Sequence, residues 1–300
     1  MEPRPITALL LRLAAALSFA TMAMLVKLAG EQGLTLPQIM LGRQLVPVIV
    51  ILLWLGAMGG LARLKTQRPA NHATRSVIGV VGMVCNFAAV ILLPLAEATT
   101  LGFTAPMFAV LIGSLVLREH VGPWRWAAVL LGFAGVLVIT QPGGHPVPLL
   151  GALAGLGSGL CVGLVSYLIR DLARSEESIS IVFYFSAFGT LIAAAMLPLV
   201  PPQLPDMRQL AMLLAIGLSG TLGQLLMTAS LRRGAITSVI VMDYSALLWA
   251  TLYGWALWQH VPPLATWLGA PLIVAAGSII AWREHRLARN RSPLTAAELD

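Results

Sequence analysis

The sequence has little charge for its length and only two cysteines. Charged residues make up 10% of its 300 positions and hydrophobic residues 58%, whereas soluble globular domains carry about 25% charged residues. The mean hydropathy is +0.86. This balance argues against an ordinary soluble domain and favours a chain embedded in a lipid bilayer.

Groups that carry catalysis or hold metals are also scarce. Cys85 and Cys161 each lie inside an apolar run and form no CxxC pair, which argues against a disulfide framework or a thiolate metal site. The five histidines show no metal-binding spacing. A membrane-embedded enzyme needs converging acid, base or nucleophile groups, but Asp243 is the one acid predicted deep in a span. We therefore expect no enzyme activity, no catalytic residue, no cofactor and no metal ion.

Apolar runs of about 20 residues are present, and this is the length at which a helix crosses the hydrocarbon core of a bilayer. Prolines such as Pro37, Pro123 and Pro148 stand at the predicted starts, where a proline is tolerated in a helix. The sequence predicts an all-α membrane protein with ten transmembrane helices. These lie near residues 6–28, 37–58, 76–95, 98–117, 123–141, 149–170, 179–200, 208–231, 235–257 and 264–282.

Basic residues collect on one side of these ten spans. Sixteen of the nineteen Lys and Arg residues fall in even-numbered connections or near the two ends of the chain. Cytoplasmic loops of membrane proteins are enriched in such residues, so both termini are predicted to be cytoplasmic. The net charge of +7 then reports topology, and we expect no nucleic-acid partner. The polar segment 283–300 is predicted to be a poorly ordered cytoplasmic tail.

The two halves show a weak internal repeat. The segments 120–123 and 260–263 begin His-Val and end in Pro, 140 positions apart, and Asn86 matches Gln224 at an offset of 138. Because five helices is an odd number, a second copy must enter the membrane in the opposite direction. Inverted repeats are typical of secondary transporters, whose solute binds near the midplane. The predicted units are residues 6–141, residues 149–282 and the tail 283–300.

Several segments carry a family resemblance. Residues 98–106, 117–119 and 132–139 resemble the fourth and fifth helices of the EamA unit in the drug/metabolite transporter superfamily. Residues 243–255 and 267–269 are similar to their counterparts in a bacterial subset of that family. The resemblance implies a ten-helix carrier of the bacterial inner membrane that works by alternating access. It also implies a central cavity lined mainly by helices 1, 3, 4, 6, 8 and 9, without specifying the solute.

Polar side chains deep in the spans are the candidate site residues, because an ionised group at mid-bilayer costs about 2.5–3.5 kcal/mol on insertion scales. The predicted substrate-binding residues are Asp243, Asn86, Gln224, Tyr244, Arg43 and Tyr167. Asp243 either binds a proton, faces a cationic group of the solute, or pairs with a base such as Arg43 to hold helices together. The two amides either orient the solute or bond between helices.

Two further patterns lead to structural predictions. Lys27, Glu31 and Glu97 are predicted near the outer mouth, in contact with solvated headgroups. Glycines recur in helix 6 at four-residue spacing, at positions 151, 155, 159 and 163. A stripe of this kind lets another helix approach closely.

These observations favour a secondary active transporter of a small polar metabolite. The resemblance favours export of an amino acid or an amino-acid-derived compound, including a metal-chelating metallophore. One alternative is an uptake carrier for a vitamin or nucleoside-like metabolite such as riboflavin or S-adenosylmethionine. Another is a non-saturable channel or a structural membrane protein. The expected partners are a small-molecule substrate and the lipid bilayer, and the sequence carries no information on oligomeric state.

Overall fold

The computed structural model describes residues 5–116, 118, 121–140, 148–202, 204–231 and 241–291, and this part of the chain is helical, without β-strands. Nine helical segments of this part are long and apolar enough to cross a membrane, with Leu95–Leu115 counted as one segment. Large apolar side chains such as Leu130 and Leu191 are exposed on the outside of the bundle, as expected for lipid contact. The predicted all-α membrane class is therefore confirmed.

The helices follow the apolar runs closely. They are α1 (Pro5–Glu31), α2 (Leu36–Ala57), α3 (Pro69–Leu92), α4 (Leu95–Gly102), α5 (Ala105–Leu115), α6 (Pro123–Thr140), α7 (Leu149–Leu172), α8 (Ser178–Met196), α9 (Met207–Leu231), α10 (Ser245–Trp258) and α11 (Leu264–Arg291). Short 3-10 helices cover Leu61–Leu64, Leu197–Leu199 and Val241–Tyr244.

The fourth span is broken, whereas its apolar run, 98–117, predicted one continuous helix. Helix α4 ends at Gly102 and α5 starts at Ala105. Pro106 has no N–H with which to bond the carbonyl of Gly102, so an uninterrupted helix would lose that bond. Phe103 and Thr104 form the intervening turn.

Three other boundaries differ from the predicted ones. Helix α3 begins at Pro69, not near 76, because proline suits the first helical position. Helix α11 continues to Arg291, so the first part of the predicted disordered tail is helical; its Arg, Leu and Ala residues are good helix formers. The ninth predicted span, 235–257, begins outside the described residues. Its described part is the 3-10 helix Val241–Tyr244 followed by α10.

Most of the packing joins the first half of the chain to the second. Helix α1 packs along α9, α3 along α7, α2 along α8 and α6 along α11. The buried core runs through these contacts and includes Ile39, Met40, Leu101 and Ile273. The space between the halves is therefore framed by helices from both.

The glycine stripe of α7 forms one of these contacts. A Cβ atom added at Gly155 would lie 2.8 Å from the Cβ of Leu101, and one added at Gly163 would lie 3.1 Å from the backbone nitrogen of Ala109. These distances leave no room for a side chain between α7 and the broken span α4–α5. The predicted close helix approach is confirmed.

Candidate substrate-binding cavity

A cavity lies between α2, α3, α8 and α9. Its empty volume, including the open mouth, is about 520 Å³. It is lined by Arg43, Pro47, Val50, Ile51, Arg75, Val182, Phe185, Ser186, Thr221, Gln224 and Leu225. Helices α2, α3, α8 and α9 correspond to the predicted spans 2, 3, 7 and 8. The family resemblance implies spans 3 and 8 as cavity helices, but it does not imply spans 2 and 7.

Arg43 reaches this cavity from α2 because the facing helix carries no side chain at Gly220. A Cβ atom added at Gly220 would lie 2.8 Å from both Cδ and Cζ of Arg43. The guanidinium therefore rests against the backbone of α9. No described residue forms a hydrogen bond or a salt bridge with Arg43. Pro47, one turn later in α2, lacks the N–H that would bond the Arg43 carbonyl.

Arg75 brings a second guanidinium to the cavity from α3. The residue is 8% exposed, and its Nε and Nη1 atoms have no hydrogen-bond partner among the described residues. Its Cζ lies 3.9 Å from the ring centroid of Phe185. Such a cation–π contact contributes about 0.5–2 kcal/mol, less than the insertion cost of an ionised group. The packing of Arg75 therefore does not explain why an arginine stands there.

Uncharged polar groups complete the lining. The Oγ1 of Thr221 donates a hydrogen bond to the Gly217 carbonyl at 2.7 Å, which leaves its lone pairs free to accept. The Gln224 side chain is half-buried and makes no hydrogen bond to a described residue. The described lining residues thus offer two cations, an amide and two hydroxyl groups, and they include no carboxylate. This set of groups is suited to binding a solute and contains no nucleophile paired with a base.

Asp243 lies elsewhere and has a basic partner. It belongs to the 3-10 helix Val241–Tyr244, and Nε and Nη2 of Arg12 donate to its two carboxylate oxygens at 2.5 Å each. The side chain of Arg12 is 7% exposed and that of Asp243 is 41% exposed. The sequence suggested Arg43 as a partner for Asp243. The observed partner is Arg12, which ties α1 to the start of α10.

The remaining predicted site residues also lie outside this lining. Tyr244 meets Phe103 edge-on with ring centroids 5.0 Å apart. The Tyr167 hydroxyl donates to the Ala109 carbonyl at 2.7 Å, so it joins α7 to α5. Asn86 is half-buried on α3. Of the six predicted residues, the cavity therefore brings together Arg43 and Gln224.

A second polar cluster lies near the start of α4. Glu97 is 2% exposed, and its Oε1 accepts a hydrogen bond from Thr266 at 3.0 Å and lies 3.6 Å from Nε2 of His260. The Nζ of Lys27 donates to the carbonyl of Leu93 at 2.8 Å, at the end of α3. The prediction of contact with solvated headgroups is therefore wrong for Glu97, which is buried. Glu31 is exposed and accepts a hydrogen bond from Trp258 at 2.7 Å, and headgroup contact of Glu31 and of the half-buried Lys27 stays a prediction. Lys27 and Glu97 both join helix ends.

The α2–α3 connection is joined to the α7–α8 connection by ion pairs, here called the connection cluster. Arg63 Nη2 lies 2.5 Å from Glu177 Oε2, and this bond raises the pKa of the Arg63 guanidinium. Arg68 pairs with Asp171. The cluster fastens a connection of the first half to one of the second.

The buried roles of two arginines, Arg12 and Arg75, were missed at the level of sequence, because both were counted among the residues that report topology. A usable signal exists for each. Arg12 stands between two leucines, seven residues into α1, and Arg75 lies six residues beyond Pro69 at the start of α3. A basic residue more than one turn inside a helix is a candidate for a buried role as well as for topology.

Comparisons with known proteins agree with this architecture. The EamA-like transporter family matches residues 6–141 and 149–282. The chain is 32% identical to the pseudopaline exporter CntI of Pseudomonas aeruginosa over 271 residues, which cover 89% of this chain and 93% of that protein. It is 29% identical to a riboflavin transporter of Vibrio cholerae over 302 residues, 97% of this chain and 99% of that protein. A solved crystal structure that is 22% identical has the same fold, with a TM-score of 0.61 over 94% of this chain and 99% of that one. The chain belongs to the EamA-like transporter family.

Proposed function

We propose that this protein is a secondary active transporter that exports an amino acid or an amino-acid-derived compound, such as a metal-chelating metallophore. The observation that carries the proposal is the cavity framed by α2 and α3 of the first half and by α8 and α9 of the second. A solute held there contacts both halves, as alternating access between two repeats requires. The similarity to a pseudopaline exporter supports the direction and the solute class.

We further propose ten helices in two inverted repeats, residues 6–141 and 149–282, with both termini in the cytoplasm and the chain in the bacterial inner membrane. The helix packing supports the repeat. In such a repeat, α7, α8, α9 and α11 are the counterparts of α1, α2, α3 and α6. Replacing each helix by its counterpart then turns the α1–α9 contact into a contact between α7 and α3, which is also observed. The α2–α8 and α6–α11 contacts map onto themselves. The basic residues of the connection cluster support the orientation.

Counterflow in reconstituted vesicles tests the proposal. The full chain is placed in liposomes loaded with unlabelled amino acids or metallophore-like compounds, and uptake of a trace of the same labelled compound is followed. A carrier accumulates label transiently above equilibrium and saturates with concentration. Vesicles without protein provide the background, and Gln224→Leu should lower the rate because it removes an amide from the cavity. Flux without saturation or counterflow would instead indicate a channel.

Uptake of a riboflavin-like compound is the second candidate, favoured by the similarity to a riboflavin transporter of Vibrio cholerae. Labelled riboflavin in the same counterflow assay separates the two. If riboflavin shows counterflow and amino-acid-derived compounds do not, this second candidate replaces the first.

The roles of Asp243, Asn86, Tyr244 and Tyr167 as substrate-binding residues stay predictions. Asp243→Asn is the sharpest test among them. Unchanged transport at every pH in this variant would contradict a role for Asp243 in binding the solute or a proton.

A further inference from the structure

We propose that the cavity binds a solute with two anionic groups, carboxylate or phosphate, and that Arg43 and Arg75 each receive one of them. The inference rests on the transport function proposed above and names the class of its substrate.

The charge of the lining is the first step. Both guanidinium groups belong to the cavity, and no carboxylate occurs among the lining residues that the structure describes. A guanidinium stays protonated in proteins. The cavity therefore carries two positive charges that its own side chains do not balance.

The bonding of the two arginines is the second step. Nε and Nη1 of Arg75 are buried without a hydrogen-bond partner among the described residues, and Arg43 forms no hydrogen bond to any of them. The neighbour of Arg75 is the face of the Phe185 ring, which accepts no N–H in the guanidinium plane and supplies no counter-charge. Donors remain on both arginines for an oxyanion.

Arg12 shows how this chain treats a buried arginine whose role is to hold helices together. Two of its nitrogens bind both oxygens of Asp243, which is the bidentate geometry that a planar guanidinium prefers. Among the described residues, a carboxylate pairs with Arg12, whereas none pairs with Arg43 or Arg75. In the proposed function their partner is the solute, which then has the same chemistry as the Asp243 carboxylate.

The rest of the lining distinguishes an organic solute from an inorganic ion. Val50, Ile51, Val182 and Leu225 give the cavity apolar walls, against which a hydrocarbon linker packs. The Gln224 amide adds a donor and an acceptor beside them. We infer two acidic groups joined by a short carbon chain that bears a further polar group.

A binding measurement on the purified full chain in detergent tests this inference. Four probes are titrated at constant ionic strength, and the shift in melting temperature gives the affinity: glutarate, O-phosphoserine, butyrate and 1,5-diaminopentane. Glutarate or O-phosphoserine should stabilise the protein, and the stronger of the two identifies the second anionic group as carboxylate or phosphate. Butyrate, with one acidic group, should bind about tenfold more weakly or worse. The diamine should have no effect.

Variants then assign the binding to the two arginines. Arg43→Gln and Arg75→Gln should each weaken binding of the favoured probe about tenfold or more, and Arg43→Lys and Arg75→Lys should recover part of it. Arg208→Gln is the matched control, because Arg208 is an exposed arginine on the cavity helix α9, outside the lining. Lysine variants also guard against misfolding, since they retain the charge.

The inference is overturned if butyrate or the diamine binds as tightly as the two-acid probes, or if the folded glutamine variants keep full affinity. Saturable counterflow of a neutral solute that neither probe inhibits would overturn it while leaving the transport function intact. Tight, arginine-dependent binding of a two-acid probe without counterflow of any solute would support the anion site but contradict the proposed transport function.

Discussion

Arg12 and Asp243 form a two-pronged ion pair across 231 positions of sequence, with both N–O distances at 2.5 Å. The pair fastens α1 to the 3-10 helix that precedes α10. The guanidinium is nearly fully buried, whereas the carboxylate is partly open. Loss of Asp243 therefore leaves a buried charge unpaired, whereas loss of Arg12 leaves a carboxylate that is partly open to its surroundings.

Removing the carboxylate should destabilise the protein more than removing both charges. Asp243→Asn leaves the buried Arg12 charge without a counter-charge, which costs about 1–3 kcal/mol or more. The double variant Arg12→Gln, Asp243→Asn should recover part of that loss. Thermal unfolding of the wild type, the two single variants and the double variant gives the coupling energy, and strictly additive losses would contradict a mutual interaction.

A methyl group at Gly220 should impair solute binding without unfolding the chain. Gly220→Ala places a Cβ where the Arg43 guanidinium now lies, so the arginine must leave its position in the cavity. We expect about a tenfold loss of affinity for the transported solute. Gly56→Ala is the control, since a Cβ at Gly56, on the same helix as Arg43, meets nothing within 4 Å. Equal affinities of the two variants would place Arg43 outside the binding site.

Lys27 should be important for stability although it is a charged residue near a helix end. Its Nζ donates to the carbonyls of Val90 and Leu93 at 3.3 and 2.8 Å, which the end of α3 leaves without intrahelical partners. Lys27→Met should lower the free energy of unfolding by about 1–3 kcal/mol. Lys65→Met, at an exposed position, is expected to change it by less than about 0.5 kcal/mol. Chemical denaturation gives the free energy of unfolding of both variants. A Lys27 variant as stable as the Lys65 variant would contradict the role of Lys27 in bonding the last carbonyls of α3.

Glu176 and Glu177 are adjacent in sequence but should respond differently to neutralisation. Glu177 pairs with Arg63 where both side chains are about half exposed, so Glu177→Gln should cost little stability and lose its effect in high salt. The Glu176 side chain is 7% exposed and accepts a hydrogen bond from Thr66 at 2.7 Å. Glu176→Gln should cost more, with little dependence on salt. The comparison requires unfolding curves at low and high ionic strength, and a reversed order would contradict the assigned burial.

The apolar runs were sufficient to predict most helices, because insertion into a bilayer depends on the summed hydropathy of about 20 residues. The same property explains why Arg43 and Gln224 were found, since a polar group deep in such a run is conspicuous. The break at Pro106 was missed, because a proline inside a span can kink a helix, start one or be accommodated by neighbours. Sequence does not distinguish these outcomes.

Arg75 and Arg12 show a different limit. Hydropathy indicates which segments cross the membrane, but it does not fix the rotation of a helix about its axis or its neighbours. Arg75 became a cavity residue because α3 begins at Pro69 and turns that side chain towards Phe185. The partner of Arg12 lies in the other half of the chain, and no local pattern indicates it. Identifying such residues requires the packing of the helices, which a count of the spans does not provide.

The side-chain-free face of α7 has a mechanical consequence. Gly155 and Gly163 bring its backbone against Leu101 and Ala109 of the fourth span, so separating the two would open a void along the whole seam. We expect α7 to travel with α4 and α5 whenever the protein changes shape. If so, α7 of the second half and the fourth span of the first half form one moving unit of this transporter, and its change of shape takes place away from their shared seam.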